Sequence, residues 1–303
     1  MIRTEPHATA RWELTAPESF VLRNGPYGSK PAEVIKLAVL ELVTRRVLRL
    51  VEVESRDRRG GRTTEMVIGA GGRPAPLDGP LAPVAKIALE ASAQTYPDGT
   101  VGLSIPGFAK AFVAKHGNLP HRYILQSVLP ALEARGLFAG RQGTFFRIFP
   151  HKAWTRTPEG EVALARLAEI TETAEREVSQ WLEREPKRVA SFLALAGAAA
   201  LLVPAAYPAF EELARRLHSE SDDGGIVPLA IILGTVLQSP DAEPDEQGTD
   251  AGQGTDVGGL DFSVLSLDFS GFAGLDGAFA GIDAGIDAGT ASADGGGGGG
   301  GGD

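Results

Sequence analysis

The stretch that most restricts the fold runs from residue 118 to residue 161, because two helix patterns there enclose two strand patterns. The first helix has one apolar stripe at i, i+3, i+4 and i+7, formed by Leu125, Val128, Leu129 and Leu132. Within this helix, Pro130 lacks the backbone donor that a helix interior uses, so we expect a bend near its middle. The stretch therefore predicts the order helix, hairpin, helix.

A β-hairpin is predicted directly after this helix. Residues 137–139 have the composition of a strand, and Gln142 and Gly143 can supply the turn. Residues 144–149 are then the returning strand, and Pro150 is expected to end it because proline has no backbone donor.

A similar order occurs earlier in the chain. Pro31 is expected to begin a helix that ends near residue 46, and the β-branched residues 47–53 predict a strand. Residues 63–68 predict its partner strand. The order of a helix followed by a strand pair therefore occurs twice. This repetition predicts a mainly α chain with small β-hairpins, arranged as tandem winged-helix-like units.

The complete predicted organisation has five regions. In chain order they are a flexible arm at 1–14, a first winged-helix-like unit at 15–70, a second unit with a long helix at 81–185, an apolar helical segment at 187–238, and a disordered low-complexity tail at 239–303. The long helix is expected to begin at Pro158, after the N-cap Thr157.

The segment 189–210 carries no charge over 22 residues, which is long enough in principle to cross a bilayer. Its many alanines and the prolines at 204 and 208 favour a different interpretation, a buried core helix or a helical hairpin that closes over the two units. Both interpretations stay open from the sequence. The first residues lack the apolar core of a signal peptide, so we expect a cytoplasmic protein that can associate with a membrane.

Charge is divided unevenly along the chain. Residues 241–303 contain thirteen acidic groups and no basic one, whereas residues 1–240 contain 29 basic and 26 acidic groups, a balance of +3. The tail repeats short glycine- and aspartate-rich sequences and cannot bury enough apolar surface to offset its backbone entropy. We expect a solvated tail. The alternative is that its sparse Phe, Leu and Ile residues make weak contacts with a partner.

Motifs that carry chemistry are missing from the sequence. Without cysteine there is no disulfide, thiolate metal site or cysteine nucleophile, and none of the five histidines forms a His-x-x-x-His pair. Nucleophile-elbow and phosphate-loop motifs are also missing. We therefore expect a non-enzymatic protein with no cofactor and no metal site.

The strongest local charge lies between the strands predicted at 47–53 and 63–68. This tip contains four arginines and one opposing acidic residue, Asp57; the arginines are Arg56, Arg58, Arg59 and Arg62. One interpretation is a site for a phosphate or a lipid headgroup. The other is a solvated loop that protects a sheet edge by its charge.

A second candidate interface follows from the winged-helix pattern. A recognition helix beginning at residue 121 would present Arg122, Tyr123 and Gln126 to DNA, and the wing would present Arg141 and Arg147. The near-neutral body and the acidic tail argue against this interpretation, because both weaken attraction to phosphates. The alternative function is therefore a DNA-binding transcriptional regulator.

Residues 14–170 resemble bacterial proteins related to the Golgi phosphoprotein family. The similarity lies in Lys36 to Val43 with Val47 to Leu50, in Val128 to Leu137, and in Phe146 to Pro150. This family is mostly helical, is non-enzymatic and binds phosphoinositide headgroups at a membrane surface. The resemblance implies an intracellular adaptor whose partners are an anionic membrane surface or another protein, and no binding residue is transferred from the family.

Overall fold

The computed structural model is mostly helical and carries two small antiparallel sheets, which confirms the predicted class of a mainly α protein with small hairpins. The structure describes residues 11–56, 62–91, 93–116, 121–145, 149–209 and 212. Most of the predicted arm at 1–14 and the whole predicted tail at 239–303 lie outside the described residues.

Sequence signals for helix ends recur in the structure. The helices are α1 (Ala16–Asn24), α2 (Pro31–Thr44), α3 (Ala82–Glu90), α4 (Ile105–His116), α5 (His121–Tyr123), α6 (Leu129–Ala134), α7 (Pro158–Arg184) and α8 (Pro186–Ala196). At the start of α1, Thr15 Oγ1 accepts a hydrogen bond from Glu18 N, and Glu18 Oε2 accepts one from Thr15 N at 2.8 Å. This capping box satisfies two backbone donors that the helix cannot pair internally.

Within the described residues, six strands form the two sheets. They are β1 (Leu48–Arg56), β2 (Arg62–Ala70), β3 (Gln94–Thr95), β4 (Val101–Ser104), β5 (Phe138–Phe145) and β6 (Phe149–Arg156). The first sheet has the order β1-β2-β4-β3, and the second contains β5 and β6. The predicted pairing of 47–53 with 63–68 is confirmed, with Leu50 opposite Ile68 and Val53 opposite Glu65.

One sheet and one core cross the predicted boundary between the two units. Strand β2 belongs to the first predicted unit and β4 to the second, and they pair at Val67–Ser104 and Ile68–Leu103. Buried residues of α1 and α2 share a single hydrophobic cluster with buried residues of α4 and α7. The unit boundaries themselves stay a prediction.

A π-helical turn replaces the simple bend expected at Pro130. Residues Ile124–Val128 form this turn between α5 and α6, and Leu129 N donates to Ile124 O, five residues back. Because Pro130 has no N–H, an α-helical bond from residue 130 cannot form, and the wider turn accommodates this loss. The chain from His121 to Ala134 therefore stays helical throughout, and it is called the central helix below.

The predicted turn at Gln142-Gly143 is wrong. Both residues lie within β5, which pairs along its full length with β6, and Thr144 is opposite Pro150. Proline is tolerated because each strand of a two-stranded sheet has an edge that needs no donor. The longer hairpin also places Trp154 in the ladder, where it is 7% exposed and joins the core, whereas the predicted shorter hairpin would have excluded it.

The apolar segment after α7 is broken into short pieces. Helix α8 is followed by two 3₁₀ turns, Gly197–Leu202 and Pro204–Ala206, and residues 198–203 are buried against the rest of the core. Gly197 permits the first break because its φ is +51°, a conformation that side-chain-bearing residues rarely adopt. In the part of the chain that the structure describes, no helix has the length and hydropathy needed to cross a membrane.

Candidate functional site

The β1–β2 hairpin extends beyond the sheet that anchors it. Strand β4 pairs with β2 only at Val67 and Ile68, whereas the β1–β2 ladder continues to Arg56 and Arg62. Beyond Val53 and Val67 the hairpin therefore has no third strand among the described residues. We call this outer part, residues 54–56 and 62–66, the ribbon.

Two arginines occupy paired backbone positions at the end of the ribbon. The ladder register places Arg56 opposite Arg62. Like charges at opposed positions destabilise an antiparallel pair unless an anion or another partner compensates them. Arg58 and Arg59 lie outside the described residues, so the structure places two of the four predicted tip positions. The two placed positions are neighbours at the end of the ribbon.

A small apolar cluster fixes the base of the ribbon. Val53 from β1, Val67 from β2 and Tyr96 from the β3–β4 turn are buried together, apart from the main core. Burial and, secondarily, the charge of Glu65 raise the pKa of the Tyr96 hydroxyl. This cluster packs the base of the hairpin, and the ribbon continues beyond it.

The DNA-contacting residues predicted on the central helix divide into two groups. Arg122 and Gln126 are exposed and stand one turn apart, as a surface contact requires. Tyr123, by contrast, is completely buried, and its hydroxyl donates to Pro80 O at 2.7 Å. Tyr123 is therefore a core residue rather than a DNA contact, because it shares the buried side of the helix with Ile124 and Val128, whereas Leu125 of the predicted stripe is exposed.

On the predicted wing, Arg141 is an exposed residue of β5, whereas Arg147 lies outside the described residues. Lys152, on the opposite strand, was not selected from the sequence. Its Nζ donates to Glu133 Oε2 at 2.7 Å and lies 4.1 Å from the centre of the Trp154 ring. This contact ties the hairpin to the central helix.

The structure brings together a basic and aromatic patch, formed by Tyr27, His116, His121 and Arg122, and sequence reasoning missed this grouping. Tyr27, 65% exposed in the α1–α2 loop, stacks on His121 at the start of the central helix with 6.4 Å between ring centroids. Burial, followed by the charges of Lys115 and Arg122, lowers the pKa of the neighbouring His116. One signal was present in the sequence, because residues 105–132 contain no acidic residue.

Burial also lowers the pKa of His121, although the carbonyl of Pro26 accepts a hydrogen bond that favours its charged form. Both histidines of the patch are therefore biased toward the neutral form, and their charge increases as the pH falls. Among the described residues, no cluster of three or more His, Asp or Glu side chains is arranged to hold a metal ion.

No family model matches this chain, and no curated protein matches it. The resemblance to the Golgi phosphoprotein family therefore stays a prediction, and the proposals below depend on the geometry of the chain.

Proposed function

We propose that this protein is a non-enzymatic interaction protein that docks at an anionic membrane surface through the ribbon. The observation that carries the proposal is the ladder register at the ribbon's end, where Arg56 stands opposite Arg62. Two cationic residues at opposed positions oppose folding, and a surface of lipid phosphates would turn this cost into attraction.

The expected strength follows from the number of arginines. Each arginine near an anionic leaflet adds about 1 kcal/mol of binding free energy, and this contribution falls off within a Debye length of about 10 Å at 0.1 M salt. Four arginines within seven residues lie close enough together to act at one surface. Binding should therefore be strong at low salt and weak at high salt.

The basic and aromatic patch can supply a second contact. An exposed tyrosine has an apolar ring and a polar tip, which suits the boundary between headgroups and acyl chains. Tyr27 has this exposure, and Arg122 lies near its stacking partner His121 on the same helix. The patch supports docking at a surface and does not depend on the residues of the ribbon.

Vesicle pelleting tests the proposal. The full chain should pellet with phosphatidylcholine vesicles that contain phosphatidylserine and stay in solution with pure phosphatidylcholine vesicles. Glutamine substitution of the four tip arginines, Arg56, Arg58, Arg59 and Arg62, should abolish most of this binding at an unchanged melting temperature. A matched variant removes the same number of positive charges from exposed helix positions: Lys86, Arg176, Arg184 and Lys187.

The two variants separate a local effect from a general loss of charge. If the matched variant loses as much binding as the tip variant, only net charge matters. If both variants pellet as the unmodified chain does, the ribbon has no role beyond protecting a sheet edge.

A DNA-binding regulator is the second candidate function. Exposed Arg122 and Gln126 on one face of the central helix favour it, together with exposed Arg141 on the following strand. Titration of a labelled DNA duplex, followed by fluorescence anisotropy, tests this function. DNA binding that is lost in an Arg122→Gln, Arg141→Gln variant and kept in the tip variant would favour the regulator over the membrane protein.

The finer description of the fold, tandem winged-helix-like units, belongs with these proposals. Helix α2 is followed by the β1–β2 hairpin, and the central helix is followed by the β5–β6 hairpin. This repeated order supports the description. An experimental structure in which each hairpin lies as a wing beside its helix would test it.

A further inference from the structure

Two stretches of the sequence without acidic residues meet in the fold at the basic and aromatic patch. Residues 19–32 and residues 105–132 contain no aspartate and no glutamate. The stacking of Tyr27 on His121 joins them, because Tyr27 belongs to the first stretch and His121 to the second. Positive charge is therefore concentrated around this stack, although residues 1–240 as a whole are close to neutral.

Ion pairs do not neutralise the cations beside this stack. Four exposed cations lie close in the sequence to the two stacked rings: Arg23, Lys30, Lys115 and Arg122. Within the described part of the chain, none of the four makes an ion pair with a carboxylate. After burial, the charges of Lys115 and Arg122 lower the pKa of His116, so both cations lie close to the patch. Pro80 contacts the central helix, and exposed Asp78, two positions earlier, makes no ion pair with these cations either.

Three contacts position the loop that carries Tyr27. Within the loop, Ser29 Oγ donates a hydrogen bond to Gly25 O at 2.7 Å. From the central helix, the His121 ring donates to the carbonyl of Pro26 and also stacks on the Tyr27 ring. The Tyr27 ring is therefore placed before a ligand binds, which lowers the entropic cost of binding.

The Tyr27 ring offers an accessible aromatic face. Its plane lies 13° from the plane of the His121 ring, and the two centroids are 6.4 Å apart, so the rings form a parallel, offset stack. Tyr27 is nevertheless 65% exposed, because His121 covers it from one side only. A third planar ring can therefore extend the stack from the side of the solvent.

A single-stranded nucleic acid combines the two features that this surface can recognise. Every base has a planar face that stacks on aromatic side chains, and every nucleotide carries a phosphate that attracts cations. In a duplex the bases are already stacked on one another, so the Tyr27 ring cannot reach them unless the strands separate. A membrane also supplies phosphates, but its acyl chains gain nothing from a parallel stack of rings.

We propose that the basic and aromatic patch binds a single-stranded nucleic acid, with one base stacked on Tyr27 and the neighbouring phosphates at Lys30, Lys115 and Arg122. This binding goes beyond docking at a membrane and does not rest on it, because no residue of the ribbon takes part. It also differs from the contact of a regulator with duplex DNA, because the base is read by its face and not by its edge in a groove.

Fluorescence anisotropy with labelled oligonucleotides tests the proposal on the full chain. The probes are oligothymidylate and oligouridylate of about 15 nucleotides, a length within the usual range of single-strand sites, and a duplex of the same length. At low salt, the single strands should bind more tightly than the duplex. The tighter of the two single strands identifies DNA or RNA as the ligand.

Substitutions of Tyr27 separate stacking from apolar burial. Tyr27→Leu keeps an apolar side chain but removes the flat ring, so it should weaken binding of the single strand roughly tenfold or more. Tyr27→Phe keeps the ring and should leave the affinity nearly unchanged. Insertion into a membrane, by contrast, would tolerate leucine, so vesicle pelleting of the same variants shows whether Tyr27 serves the membrane instead.

Charge variants show whether the cations of this surface contact phosphates. Each phosphate contact on a single strand contributes about 0.7 to the slope of log affinity against log salt concentration. Changing Lys30, Lys115 and Arg122 to glutamine should therefore reduce this slope by about 2. A matched variant changes three exposed helix residues to glutamine and should leave the slope unchanged: Lys86, Arg176 and Lys187.

Three outcomes would overturn the proposal. The first is equal affinity of Tyr27→Leu and the unmodified chain for the single strand, because stacking would then be irrelevant. The second is binding of the duplex at least as tight as that of the single strands, which would favour the regulator. The third is an absence of oligonucleotide binding at low salt, which would leave the patch with the membrane contact alone.

Discussion

Replacing Glu41 tests how the buried polar cluster of the first helices contributes to stability. Glu41 is completely buried on α2, where Oε2 accepts a hydrogen bond from Ala16 N at 2.7 Å and Oε1 accepts two from Arg45. A Glu41→Ala change would leave the N–H at the start of α1 without an acceptor. It would also leave a cavity in a packed core.

The expected loss of stability in Glu41→Ala follows from these contacts. A hydrogen bond to a charged acceptor contributes roughly 1.5–3 kcal/mol, and the buried methylene that is lost contributes about 0.8 kcal/mol. Water can solvate the partly exposed Arg45, so losing its partner adds less than about 1 kcal/mol. Glu41→Ala should therefore destabilise the protein by roughly 2–5 kcal/mol. Glu41→Gln keeps the shape and one acceptor, so it should cost less.

The dependence on pH provides a sharper test. Burial raises the pKa of Glu41 above its usual 4.5, and the attraction of Arg45 opposes this shift without cancelling it. At a pH between the usual pKa of the unfolded state and the raised pKa of the folded state, the folded state binds more protons than the unfolded state. The stability contributed by Glu41 therefore falls as the pH rises through this range. The stability of the unmodified protein relative to Glu41→Gln should therefore decrease from pH 4.5 upward.

Urea unfolding of both proteins at a series of pH values, followed by circular dichroism, measures this difference. A difference that increases with pH through this range would contradict the reasoning, because it would show that pairing with Arg45 outweighs burial.

Three further changes probe other contacts. Gly160→Ala should destabilise the protein by roughly 1–3 kcal/mol in thermal unfolding, because the new Cβ would meet the backbone carbonyl of Leu137; stabilisation, as expected for an exposed helix glycine, would contradict this. A hydrogen bond from Lys152 lowers the pKa of Glu133. The unmodified protein should therefore be more stable than Glu133→Gln, and this difference in stability should disappear as the pH falls through that lowered pKa. A difference in stability that persists at lower pH would refute the reasoning. Removing residues 239–303 should change the melting temperature by only a few degrees, because their low-complexity sequence cannot bury much apolar surface; a much larger fall would show that the tail packs on the body.

Local features of the fold could be predicted because their signals lie within a few residues. The capping box of Thr15 and Glu18 spans three positions, and the pairing of 47–53 with 63–68 follows from β-branched runs on either side of the arginine-rich tip. Strands β3 and β4 were missed because two and four residues are too few to show alternation. The β5–β6 hairpin is longer than predicted because Pro150 lies inside β6, paired with Thr144, and does not end the strand.

The candidate sites were harder to predict because they depend on distant residues. Tyr27 and His121 are 94 positions apart in the sequence and stack in the fold. Tyr123 has a polar group in the sequence, but its ring belongs to the buried side of the central helix.

Unfolding should show whether the two predicted units are independent. Arg135 directly follows the central helix, and its Nε donates to Oε1 of buried Glu18 at 3.1 Å. This bond joins residues 117 positions apart. The β2–β4 pairing and the shared core add two further links between the units. Because separating the units would break the sheet and leave a buried carboxylate without its cation, we expect one cooperative transition. Circular dichroism and tryptophan fluorescence should give coincident unfolding curves, and two resolved transitions would mean that the shared sheet and core do not couple the units.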